Sequence, residues 1–94
     1  MRIPKTLKIG GHIVKIVLKS PVNNGGDCGE ADFDKNQIIL DKKLTQSMKE
    51  LTLIHEIFHF LNSDFHGDSP WSHALLESLS QQFYQVLKDN KLLK

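Results

Sequence analysis

The chain has 94 residues, 39% of them apolar, with 12 basic against 11 acidic side chains and a formal charge of +1. That suffices for one small domain with one core, and the near-neutral balance, free of like-charge runs, gives no surface for nucleic acid. A single cysteine, Cys28, excludes an internal disulfide framework and fits a reducing, cytoplasmic setting.

The opening MRIPKTLKIGG lacks the apolar core of a signal peptide. Residues 6–19, TLKIGGHIVKIVLK, alternate apolar and polar side chains around Gly10-Gly11, which predicts a β-hairpin with a Gly-Gly turn. Residues 20–27, SPVNNGGD, form a loop by their Pro, Asn and Gly content. A short strand is expected over 28–33, a turn at Asp34-Lys35-Asn36, and a strand over QIILD, 37–41. The first 41 residues thus predict a small antiparallel sheet of three or four strands.

The period then changes. Ser47 followed by Glu50 has the spacing of a capping box. Met48, Leu51, Ile54, Phe58 and Leu61 recur at intervals of three and four, predicting a helix over 47–62. SDFHGDSP, 63–70, is a loop. Ser72 can cap a second helix running to about Lys88, with Leu76, Leu79, Phe83, Val86 and Leu87 as its apolar face. Strands followed by two helices indicate a single α+β domain over 1–94. The longest apolar stretch is broken by His55, Glu56 and His59, so no membrane span is expected.

Those three residues carry the chemistry, because they read H-E-x-x-H. On a helix His55 and His59 are one turn apart, with Cβ atoms roughly 5–6 Å apart, so both imidazoles can reach one zinc ion. Glu56 points about 100° around the helix from His55. From there it can take a proton from a water at the metal without ligating the metal. With 5 histidines and 4 glutamates in the chain, a shuffled sequence carries this motif by chance roughly once in 100. Its place inside an amphipathic helix raises the odds, since unpartnered polar groups are costly to bury there.

A catalytic zinc commonly has three protein ligands and one open position. The downstream candidates are His66, His73 and Glu77. A metzincin would need Gly and His where this chain has Asn62 and Phe65, which leaves His66 as a loop residue at the rim. His73 and Glu77 share one face of the second helix. One can ligate and the other can hydrogen-bond a ligand histidine; the local physics does not choose between them.

IPKTLKIGGH, GEADFDKNQIIL, LTLIHEIFHFLN and LLESLSQQFYQVLKDN together resemble the small ImmA/IrrE-like metallopeptidases of phages and bacteria, also called minimal gluzincins. The likeness runs along nearly the whole chain. It implies a zincin-like fold with a zinc helix and a third-ligand helix, one Zn²⁺ per chain, and hydrolysis of a peptide or protein substrate in a bacterial, archaeal or phage setting. It matches His55 and His59 to the zinc histidines and Glu56 to the general base. Counted back from Tyr84, the family's ligand glutamate falls on His73, so the resemblance implies His55, His59 and His73 as ligands with Glu77 behind them, or Glu77 as a substitute ligand. It also implies that residues 28–33 form an edge strand over the cleft, with Gly29, Glu30 and Ala31 pairing with an extended substrate.

Cys28 could block the metal, but a plain small thiol is the simpler expectation. Tyr84 lies on the stripe of His73 and Glu77 but about 16 Å along the helix from His73, which favours a core or surface role over a catalytic one. Trp71 is expected to pack as a lid on the core. The expected activity is zinc-dependent peptide hydrolysis with Glu56 as base. One rival is a zinc-binding regulatory or interaction module on the same fold that turns over little or nothing; a second is a purely structural zinc site with four protein ligands and no open position.

Overall fold

The computed structural model describes residues 2–9, 11–62 and 71–90. Strands β1 (Thr6–Ile9) and β2 (His12–Lys19) pair antiparallel with Ile9 opposite His12. The expected hairpin is therefore present, and Gly11 in its turn sits at φ +81°, where a side chain would be strained. Strand β4 (Gln37–Asp41) lies parallel to β2, with Ile16 opposite Ile38 and Leu18 opposite Leu40. Strand β3 (Gly29–Asp32) runs antiparallel along the far side of β4, giving the order β1-β2-β4-β3.

The sheet is therefore mixed, which corrects the expectation of antiparallel pairing throughout. Parallel neighbours need a long connection. Residues 20–36 supply it and carry β3 on the way. The turn from β3 to β4 falls at 33–36, with Asp32 Oδ1 accepting from the Lys35 amide at 3.2 Å. Asn36 completes it at φ +51°, a conformation asparagine tolerates better than most residues.

Val14, Ile38 and Leu40 alternate onto one face of the sheet and are fully buried. Against them lies α1 (Gln46–Asn62), which contributes Leu53 and Phe60 to the same core. The stripe of α1 that meets the sheet is thus Leu53, Ile57 and Phe60, and Ile54 of the expected stripe is buried as well. The stripe expected from spacing alone has Met48 and Leu61 exposed at its ends. The helix is apolar on more than one side because it meets both the sheet and a second helix. Its cap also differs from expectation. Thr45 Oγ1 accepts from the Met48 amide at 3.3 Å, and Glu50 turns inward instead of closing a box with Ser47.

Helix α2 (His73–Asp89) begins as expected, with Ser72 Oγ accepting from the Leu75 amide at 3.1 Å. It packs on α1 through Leu76 and Ser80, while Phe83 and Val86 of its expected apolar face are about half exposed. Among the described residues no helix is long and apolar enough to cross a membrane.

Candidate metal centre

Two features of α1 set up the site. The i, i+4 spacing stacks His55 and His59, and the helix turns their rings out of the core while the neighbouring Leu53, Ile54 and Glu56 stay buried. The Nε2 atoms of His55 and His59 stand 3.1 Å apart. Two imidazole nitrogens on one tetrahedral zinc, at bond lengths of about 2.0–2.1 Å, stand ~3.3 Å apart. The pair is therefore spaced as a shared metal requires.

His73, the first residue of α2, closes the triangle. Its ring centre lies 5.4 Å from that of His55 and 5.5 Å from that of His59. One ligand nitrogen from each ring lies within 4.8 Å of the other two. Three imidazoles converging in this way suit a divalent transition ion. Burial lowers the pKa of both His55 and His59; His73 adds to the effect at both, His55 adds to it at His59, and Glu77 opposes it at His55. The shift favours the neutral form, which is the one that binds a metal.

Glu77 lies one turn beyond His73 and lines the same cleft, but it falls outside the converging group. Among the described residues no hydrogen bond joins it to a histidine. His66 lies outside the described residues.

Glu56 is 6% exposed, yet it lines the cleft. Among the described residues no donor reaches its carboxyl. Burial pushes its pKa up to about 7, and the negative charges of Asp27 and Glu30 add to the rise. Its Oε2 lies near Gly29, where a Cβ would come within 3.4 Å of it and only 2.6 Å from Thr52 Cγ2. Gly29 is thus the point at which the edge strand β3 presses on α1.

The cleft measures about 460 Å³. Cys28, Gly29 and Glu30 line it as expected of a strand over the site, whereas Ala31 packs against the core. Cys28 is exposed and stands outside the ligand triangle. Met48 and Leu51, assigned to the core by spacing, line the cleft as well.

Three contributions escaped the sequence reading. Asp27 faces the site from the loop before β3. Asn62, the last residue of α1, holds the backbone of Trp71 from both sides: its Oδ1 accepts from the amide at 3.0 Å and its Nδ2 donates to the carbonyl at 3.1 Å. That clamp fixes the start of α2, and with it His73. Trp71 itself meets Phe58 edge-on instead of lying over the core. Lastly, Tyr84 donates to buried Glu50 at 2.7 Å and accepts from Lys88 at 3.1 Å, tying the helices together away from the histidines. Burial alone would raise the Glu50 pKa; hydrogen bonding led by Tyr84 outweighs it and holds the carboxyl below its ordinary value. Polar side chains at helix ends and helix–helix contacts are the signal that points to such ties, but their partners become visible only in three dimensions.

No protein-family model matches the chain, and no match was found among curated proteins or solved structures.

Proposed function

We propose that this chain is a zinc-dependent metallopeptidase of the minimal gluzincin kind, with a zincin-like fold. The observation that carries the proposal is the 3.1 Å approach of His55 and His59 Nε2, with His73 converging on them beside a buried Glu56. His55, His59 and His73 would hold the ion. Once bound, a divalent ion supplies Lewis acidity toward a peptide carbonyl and toward water.

The remaining chemistry belongs to the chain. Glu56 accepts the proton of the attacking water and returns it to the leaving amine. A pKa near 7 suits both directions of that transfer at neutral pH. The free edge of β3 offers backbone donors and acceptors to an extended peptide, which aligns the scissile bond along the cleft. Asn62 positions His73 through the Trp71 backbone.

The test compares zinc content and hydrolysis of an unfolded protein for the wild type and Glu56→Gln. One zinc per chain in both proteins, with cleavage only by the wild type, is the expected result. A protein that binds no zinc overturns the metal centre. A wild type that binds zinc but cleaves nothing is the regulatory or interaction module instead.

A further inference from the structure

Charge is distributed unevenly around the cleft. Asp27, Glu30, Glu56 and Glu77 all line it, and among the described residues no lysine or arginine does. Glu30 also lines a second, shallower depression along β3, together with Asp32 and Asp34. The acidic surface therefore runs from the histidines along the half-buried edge strand to the β3–β4 turn. The chain as a whole carries +1, so this negative groove is a local arrangement.

The carboxylates at the mouth are not spent on internal ion pairs. Among the described residues, Asp27, Glu30 and Glu77 make no salt bridge. Asp27 is held by Asn23 Nδ2, a neutral donor that fixes its orientation without cancelling its charge. Deeper in, Glu56 is a carboxyl 6% exposed, turned to the same cleft, with no donor among the described residues. A divalent ion on the three histidines would offset two negative charges, fewer than the three that Asp27, Glu30 and Glu77 bring to the cleft. Removing such charges from water under a neutral or acidic ligand is costly, whereas a cation offsets that cost.

We propose that the cleft selects a cationic side chain: a lysine or arginine of an extended peptide, lying along β3, seats its charged end between Asp27 and Glu30 beside the histidine cluster. The cleavage of such a peptide rests on the metallopeptidase reading; its capture does not. Asp27 and Glu30 are then specificity-determining residues. Asp32 and Asp34 extend the same preference to basic residues further along the peptide.

The test uses labelled hexapeptides of one alanine-rich sequence with lysine, norleucine or glutamate at a single scanned position, and with the peptide bonds on either side of it N-methylated against hydrolysis. Binding to zinc-loaded protein is followed by fluorescence anisotropy at low and high salt. The lysine peptide should bind roughly tenfold tighter than the norleucine peptide at low salt, and the margin should shrink to about twofold at high salt. Asp27→Asn with Glu30→Gln should erase the margin. Equal binding of the lysine and norleucine peptides to the wild type, a margin indifferent to salt, or tighter binding of the glutamate peptide overturns the proposal even if the double variant fails to fold. Unmethylated versions of the same peptides separate the two readings. Charge-selective binding without cleavage sinks the peptidase and leaves the cationic subsite standing; cleavage blind to the charge does the reverse.

Discussion

Helices α1 and α2 have the same length, 17 residues each, but α1 buries seven of them and α2 only two. The candidate site is divided between them unequally. His55, Glu56 and His59 stand on the helix that the core immobilises, while His73 stands on the helix that lies mostly in solvent. A pair of ligands one turn apart on a buried helix is set by backbone geometry alone. A third ligand on an outer helix depends on whatever holds that helix in register. Here that is Leu76 and Ser80, the Asn62 clamp at one end and the Tyr84–Glu50 bond at the other.

The contrast is open to direct attack. Phe60→Ala on α1 should cost about 3–5 kcal/mol, as for other fully buried aromatic residues, whereas Phe83→Ala on α2 should cost under about 1 kcal/mol. Urea denaturation of the two variants measures the difference; equal losses would mean that α2 is as much a part of the core as α1.

Glu56→Gln should act in the opposite direction in the metal-free protein. The folded chain holds the Glu56 proton up to about pH 7, against an ordinary value of 4.5. The wild type therefore loses stability as pH rises between those values, by at most about 3 kcal/mol. The variant should gain that much above pH 7 and nothing below pH 4.5. Melting curves across this range check it, and a flat difference would show that burial does not strain the carboxylate.

Zinc should stabilise the wild type by about 2.7 kcal/mol at a free concentration of 100 Kd, and chelation should reverse the gain. Because His55 and His59 have pKa values below 6.5, protons should begin to displace the metal from them only under more acidic conditions than an ordinary histidine would allow. His73→Ala should lose most of the zinc affinity with little change in metal-free stability, while Glu77→Ala, which removes a nearby charge and no hydrogen bond to a ligand, should cost at most about 10-fold in affinity. The reverse ranking in a zinc titration would move the third ligand to Glu77.

Gly29→Ala drives a methyl group into Thr52 and the Ile39 carbonyl, and should cost about 1–3 kcal/mol as overpacking does. Tyr84→Phe removes a bond to buried Glu50 and should cost about 1 kcal/mol. Both are read by chemical denaturation. A neutral Gly29→Ala would show that β3 can move away from α1, and a neutral Tyr84→Phe would leave α2 held at one end only.

The comparison also shows what the sequence made legible. The hairpin, the last strand and both helices followed from period and punctuation, because Gly10-Gly11 and Ser72 act locally. The parallel partnership of β2 and β4 did not, since alternation in a short strand fixes which face is buried and says nothing about which strand lies alongside. The core face of α1 was only partly legible: Ile54 is buried as its spacing implied, but apolar residues occupy several sides of the helix, and only the position of the sheet decides between Leu53, Ile57 and Phe60 on one hand and Leu51 and Phe58 on the other. At the site, His55, Glu56 and His59 were visible because a helix brings them together by itself. Asp27 and Asn62 were invisible because each acts on residues that the chain reaches only after folding.

Asn62 has one consequence beyond the site. Its amide side chain satisfies both the donor and the acceptor of the Trp71 backbone, as a neighbouring strand would. The separation between the end of α1 and the start of α2 is thereby set by one side chain, whatever chain lies between them. The histidine triangle therefore owes its dimensions in part to a side chain that touches none of the three rings.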